Sequence, residues 1–271
     1  MIPMAIAAAI ILVLAIFFLL SLRGRTSHKD LLKLKKWSYA HRGLHGSGVP
    51  ENSLAAFSVA KKCGYGMELD VHLLKDGSLA VTHDHSLKRC AGADIQIEDL
   101  TAQDLAQYPL EGTGEIIPLL SQVLELVDGA VPLIVELKST KENYKALCET
   151  TCDLLSGYQG LYCVESFDPR CIYWLRKHRN SVMRGQLVDN LFKTGSKLPW
   201  LLKFLLRHQM LNLFSKPDFI AYDFEDRKTL SNFICRKIWG MQGVTWTICN
   251  TDDYNTAVKE GWIPIFENIV P

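Results

Sequence analysis

Residues 66–84 read GMELDVHLLKDGSLAVTHD, and the fold follows from how that stretch is divided. In Gly66–Val71 the side chains alternate. Glu68 and Asp70 lie two apart, so on a strand they share one face, while Met67, Leu69 and Val71 take the other. Asp76-Gly77 then sits between two apolar runs, which signals a hairpin. There is no room for a crossover helix before Leu79–His83, so that run reads as an added antiparallel strand.

Outward from this stretch, short apolar runs alternate with helical patterns. Upstream, Trp37-Ser-Tyr-Ala40 ends at His41. A helix is expected over about 52–63, capped by Asn52 or Ser53 and ended by Gly64, with Leu54, Phe57 and Ala60 on one face. Downstream, 85–117 is polar and irregular, with a weak helix at 98–107. Leu120, Val123, Leu124 and Val127 then restore helical spacing. Six runs follow: PLIVELK, LYCVESF, VMRGQLV, FIAYDF, GVTWTIC and WIPIFE. Helices are expected between them at about 141–156, 168–179, 198–213, 228–239 and 252–260. Together with the runs at 37–41 and 67–71 these make eight strands, which predicts an α/β fold, a (β/α)8 TIM barrel with a β-hairpin insertion after strand 2. The alternative is an open doubly wound sheet. It would usually carry a Gly-rich phosphate loop after its first strand, and none is present. The eighth helix is missing or replaced by residues 26–36.

Residues 1–22 contain no charged side chain and are long enough for one transmembrane helix. A signal peptide is the rival, but no Lys or Arg precedes the run and no clear small-residue cleavage site follows it. Arg23, Arg25, Lys29, Lys33, Lys35 and Lys36 all follow the segment, which predicts a single-pass membrane protein with its catalytic domain in the cytoplasm. The expected organisation is an anchor at 1–22, a basic juxtamembrane segment at 23–36 suited to anionic lipid headgroups, and a barrel domain at 37–271. With 271 residues, 48% of them hydrophobic, the chain suits one large domain; 30 basic against 29 acidic residues give no sign of nucleic-acid binding. The eight cysteines show no CxxC pair or regular spacing, so they read as small apolar residues in a reducing compartment.

Barrel enzymes carry their chemistry at the C-terminal strand ends. Sorted by that rule, strand one ends in His41-Arg42-Gly43, strand two carries Glu68 and Asp70, the hairpin strand ends at His83-Asp84, and the next strand carries Glu136 and Lys138. Carboxylates crowded on one inner face repel unless a cation or proton joins them. Three oxygen ligands suit one divalent cation, Mg²⁺ or Ca²⁺, better than zinc. The plain alternative is a solvated edge strand with ordinary charges, which the apolar flanks argue against. His41 and His83 are candidates for general acid and base. Arg42 and Lys138 can hold phosphate oxygens.

The motifs H-R-G (41–43), P-E-N-S (50–53), E-L-D-V (68–71), K-D-G (75–77), H-D (83–84) and E-L-K (136–138) resemble the glycerophosphodiester phosphodiesterase family, in its membrane-anchored bacterial form. E-S-F-D at 165–168 and W-T-I-C-N at 246–250 extend the likeness. The resemblance implies a (β/α)8 barrel, a divalent metal on Glu68, Asp70 and Glu136, and acid–base catalysis by His41 and His83. It further implies phosphate contacts from Arg42 and Lys138, with Trp246 lining the pocket near the glycerol. The implied substrate is a glycerophosphodiester or a lysophospholipid, and the products are an alcohol and glycerol 3-phosphate. One departure stands out: many relatives close with a T-D-x-P-like segment and a last helix, where this chain has Phe266–Pro271. Residues 190–216 mix Leu, Phe and Trp with Lys and Arg, and read as an outer barrel helix or as a basic amphipathic helix on a membrane. Two other functions remain open: a phosphoinositide-type phospholipase, and a non-enzymatic membrane-tethered scaffold.

Overall fold

Every run with strand periodicity forms a strand. The computed structural model describes residues 2–271 and holds β1 Tyr39–Ala40, β2 Gly66–Leu73, β3 Leu79–Val81, β4 Leu133–Leu137, β5 Tyr162–Ser166, β6 Arg184–Val188, β7 Phe219–Asp223, β8 Gln242–Ile248 and β9 Ile263–Phe266. Eight of them pair in parallel, and β1 pairs with both β2 and β9, which closes the sheet. β3 hydrogen-bonds antiparallel to β2 outside this ring, with Val71 opposite Val81 and Leu73 opposite Leu79. The fold is therefore a (β/α)8 barrel with a hairpin insertion, preceded by one apolar helix.

Strand alternation sorts the side chains into layers. Met67, Leu69, Val71, Leu133, Val135 and Leu137 join Phe57, Val123 and Leu147 of the surrounding helices in the main core. A second cluster, including Tyr39, Ile134, Cys163, Phe219, Val244 and Ile263, fills the barrel interior. Gly185 is needed there, since a Cβ at that position would lie 2.1 Å from the Phe219 ring. Beyond this apolar plug, register sets Asp70 beside Glu136 and Glu136 beside Glu165, in one row across β2, β4 and β5.

The helices differ from the expected pattern in places where local geometry decides. Ser53 caps the helix Leu54–Cys63, accepting from the Ala56 N–H at 3.1 Å, and Asn52 is released for another role. Residues 98–107 form no α-helix; short 3₁₀ turns occupy Ile97–Asp99 and Asp104–Gln107, matching a stretch without apolar periodicity. The expected helix at 198–213 is two pieces, Trp200–Arg207 and Asn212–Ser215, parted where Gln209 takes a left-handed φ of 59°. Residues 26–36 do not replace an outer helix. Leu31–Leu34 is a single turn whose Leu34 is fully buried in the interior cluster, where its carbonyl accepts from the Tyr39 hydroxyl at 3.0 Å.

The apolar N-terminal helix spans Ile2–Ser21, and its window Met4–Ser21 has a mean hydropathy of 3.0 with 6% of its residues buried. Such a helix is apolar enough to cross a membrane, and a signal sequence has the same character. Its C-terminal end is built into the barrel. Phe18, Leu19 and Leu22 pack with Ile220, Ile234, Cys235 and Met241, and the Trp239 indole N–H donates to the Leu19 carbonyl at 2.9 Å. Two residues of the basic segment are also engaged with the barrel. Arg23 lies over the Trp239 ring at 5.1 Å, and Arg25 grips buried Asp218 through two bonds of 2.5 and 2.6 Å. All eight cysteines are free thiols, six of them buried.

Because Asp218 is fully buried, removing Arg25 strands a charge. Arg25→Gln is expected to destabilise the barrel by about 3–5 kcal/mol. Deleting residues 2–16 should leave stability nearly unchanged, since Met4–Ser21 is 6% buried. Denaturant midpoints of the two variants check this; equal midpoints would refute the docking role given to Arg25.

Candidate active site

The C-terminal strand ends gather four buried carboxylates. Glu68, Asp70, Glu136 and Glu165 are 3%, 1%, 7% and 1% exposed. One oxygen from each of Glu68, Asp70 and Glu136 lies within 4.8 Å of the other two. Burial, with Asp70 and Glu136 alongside, pushes Glu68 well above the usual carboxylate range. Burial does the same to Glu165, reinforced by Glu136 and Asp70. Glu136 is pushed up to about 7 by burial, against the pull of Lys138. Asp70 goes the other way: burial would raise it, yet Lys138, His83 and Arg42 hold it below its ordinary value.

Two cations face this group. The Lys138 ammonium bridges Asp70 at 3.0 Å and Glu136 at 2.8 Å. Arg42 sits in the left-handed region, with φ 53°, at the sharp turn leaving β1. That turn aims its backbone N–H at Glu68, 3.0 Å away, while its guanidinium reaches Glu51 at 3.0 Å and lies 3.5 Å from Asp70. Four carboxylates face only Arg42 and Lys138, and Arg42 is shared with Glu51. One Glu165 oxygen is buried without a hydrogen-bond partner. The set is all oxygen, so its residues suit a hard divalent cation, which would offset the crowding that raises Glu68, Glu136 and Glu165.

Each histidine is held by a carboxylate. His41 follows β1, and its Nδ1 is 2.6 Å from Glu267, just past β9. That bond pulls Glu267 down to about 2. The His41 Nε2 lies 3.9 Å from Glu68. His83 follows β3, and its Nδ1 is 2.6 Å from Asp84, which Arg89 steadies in turn at 2.6 Å. Burial pushes His83 below the ordinary histidine value, against the pull of Asp70. With Nδ1 committed on both rings, Nε2 is the atom left to exchange protons.

His41, Arg42, Glu68, His83, Glu136 and Trp246 border one cavity of about 300 Å³. Lys138 reaches the carboxylates from the adjoining cleft, so all eight residues singled out in the sequence meet here. Trp246 stands edge-on to Phe167, with ring centroids 5.6 Å apart. Sequence reasoning missed several partners. Glu165 occupies an inward position of β5, and the parity that selected Glu136 would have found it. Asn52 donates to Asp70 at 2.8 Å, a role that neither its reading as a cap nor its place in the P-E-N-S motif gave it. Glu267 follows the last strand, so the strand-end rule covers it too. Its pairing with His41 spans 226 residues and leaves no local signal.

The cavity opens into a cleft of about 890 Å³ that shares His83, Glu136, Phe167, Leu187 and Asp189 with it. Leu198, Leu202, Leu205, Leu206 and Leu211 form a wall of that cleft. The helix Trp200–Arg207 carrying three of them has no fully buried residue, and Trp200 and Leu201 are 68% and 58% exposed.

Known proteins agree with this architecture. A glycerophosphodiester phosphodiesterase of Bacillus altitudinis is 38% identical over 130 residues, covering 45% of this chain and 53% of that protein. One from Caldanaerobacter subterraneus subsp. tengcongensis is 27% identical over 241 residues, covering 84% and 92%. Human lysophospholipase D GDPD1 is 34% identical over 132 residues, covering 44% and 40%. The matched stretch thus spans about half or less of the Bacillus and human proteins. Among solved structures, an Oleispira antarctica phosphodiesterase in complex with the product sn-glycerol-3-phosphate superposes with a TM-score of 0.70, at 22% identity, over 85% of this chain and 92% of that one. A glycerophosphodiester phosphodiesterase from Thermotoga maritima does so at 0.64 and 24% identity, over 85% and 93%. Residues 41–268 match the glycerophosphoryl diester phosphodiesterase family model, and with that match the chain belongs to this family of enzymes.

Proposed function

We propose that the protein is a metal-dependent phosphodiesterase that cleaves glycerophosphodiesters, lysophospholipids among them, to an alcohol and glycerol 3-phosphate. The observation that carries this reading is the joining of a four-carboxylate cavity, flanked by two carboxylate-held histidines, to a leucine-lined cleft. A divalent cation, Mg²⁺ or Ca²⁺, held by Glu68, Asp70 and Glu136 would polarise a phosphate oxygen and balance its charge. Arg42 and Lys138 bind the remaining phosphate oxygens and stabilise charge that develops in the transition state. One of His41 and His83 takes, at Nε2, the proton of the nucleophile, and the other returns a proton to the departing alkoxide; water as nucleophile gives glycerol 3-phosphate directly, whereas the glycerol 2-hydroxyl gives a cyclic phosphate that a water then opens to the same product. Glu267 and Asp84 hold the two rings in the working orientation, as carboxylates do for catalytic histidines. Trp246 packs beside the glycerol.

The cleft extends the substrate range. A lysophospholipid presents a polar diester to the carboxylates and an acyl chain to Leu202, Leu205 and Leu206. The exposed Trp200 and Leu201 on the same helix, together with the docked N-terminal helix, would set the mouth of the cleft at a membrane surface. The helix then acts as an anchor, and the lysines that follow it place the barrel on the cytoplasmic side.

On glycerophosphocholine, His41→Ala, His83→Ala and Glu136→Gln are each expected to lower kcat by about 10²-fold or more, with circular dichroism unchanged. Release of glycerol 3-phosphate is the readout, and a near-wild-type rate in any of the three removes that residue from the mechanism. The paired change Leu202→Asp and Leu206→Asp should reduce kcat/KM on lysophospholipid vesicles about 10-fold or more, because each buried methylene is worth about 0.8 kcal/mol. The same variant should keep its rate on soluble glycerophosphocholine. An equal loss on both substrates would mean that the leucine wall only supports the fold.

A further inference from the structure

A second group of ligand-bearing side chains lies outside the carboxylate cavity. His72 sits on β2 two residues beyond Asp70, His85 two beyond His83, and Glu98 in the 3₁₀ turn Ile97–Asp99. The His72 and His85 Nδ1 atoms both face one Glu98 oxygen, at 2.8 and 2.6 Å. The two rings stand perpendicular, with centroids 4.8 Å apart. His72 is fully buried, whereas the His85 side chain is 47% exposed, so the group has one closed side and one open to water.

The hydrogen-bond inventory of His72 is what points to a ligand. Its Nε2 faces the His83 carbonyl at 3.3 Å, and a carbonyl only accepts. Its Nδ1 faces the Glu98 carboxylate, which also accepts when ionised. A neutral imidazole carries one proton for these two acceptors. With the proton on Nε2, the Nδ1 lone pair is set against Glu98, where either a second proton or a metal cation satisfies both; the His85 Nδ1 aimed at the same Glu98 oxygen makes a three-donor point that suits the metal. A ring held through its far N–H by a backbone carbonyl is the usual setting of a metal-binding histidine.

We propose that His72, His85 and Glu98 form a zinc site separate from the catalytic carboxylates, with water in the fourth position on the exposed side. Two imidazoles and one carboxylate favour zinc, as the all-oxygen set favours Mg²⁺ or Ca²⁺. Zinc–ligand bonds of about 2.0–2.2 Å require the three donor atoms to part by roughly half an ångström. The exposed His85 gives that freedom. The metal would clip the irregular segment after His83 to the barrel wall. The Ile97 N–H already donates to the His85 carbonyl at 2.8 Å, so the two sides of the clip are in register. Through the bond from His72 to the His83 carbonyl, the same metal would steady the backbone that carries a catalytic histidine.

The test uses the full chain with Mg²⁺ or Ca²⁺ in excess, titrated with Zn²⁺ and, for its visible absorption, with Co²⁺. The wild type and Glu136→Gln are both expected to bind one equivalent of Zn²⁺, with a melting temperature that rises with zinc concentration. His85→Ala and Glu98→Gln should bind zinc more than about 100-fold more weakly, exceeding the usual loss from a supporting residue. Their melting temperatures in chelator report whether they fold; should His85→Ala fail to fold, Glu98→Gln alone decides. Zinc binding that survives both changes, that is lost in Glu136→Gln instead, or that is absent from the wild type overturns the proposal.

Discussion

Repulsion among Glu68, Asp70, Glu136 and Glu165 is the constraint around which the rest of the structure is arranged. Carboxylates this buried persist only beside positive charge. The barrel meets that need from several directions. Lys138 lies between two of them, Arg42 turns back from the end of β1, and Asn52 donates to Asp70. The left-handed backbone at Arg42 and Asn52 follows from the same demand, since both turns aim polar groups at the carboxylate row. These cations are too few for the carboxylate row, and the all-oxygen set suits a hard dication.

The same geometry explains the pairing of each histidine with an acid. His41 and His83 approach the carboxylates from different strands, and each is turned by a partner on its Nδ1 side. Two spaces adjoin this centre: a cavity of about 300 Å³ at the carboxylates, and a larger apolar cleft that continues from it toward the helix Trp200–Arg207.

Much of this was legible in the chain. Short apolar runs alternating with helical spacing marked all eight barrel strands, and Asp76-Gly77 marked the hairpin that breaks the regular order. The strand-end rule brought together residues from 41 to 138, and the family resemblance added Trp246. What escaped was long-range or conformational. Nothing near His41 indicates Glu267, because their contact depends on the barrel closing. Asn52 was read as a cap because Ser53 beside it has the same chemistry, and only backbone conformation separates their roles. Residues 26–36 were expected outside the barrel, yet the buried Leu34 belongs to its interior plug, a distinction that an apolar side chain alone does not carry. For residues 190–216, helical amphipathicity is the same whether the partner is the barrel, an acyl chain or a membrane.

The most direct test of the account is the rate of glycerophosphocholine hydrolysis by the full-length enzyme after chelation, followed by titration with Mg²⁺ or Ca²⁺. The carboxylate row predicts a rate that falls to background without a divalent cation and returns as one equivalent binds. A rate that persists undiminished in chelator would show that protein charges alone run the reaction, and would contradict the account at its centre.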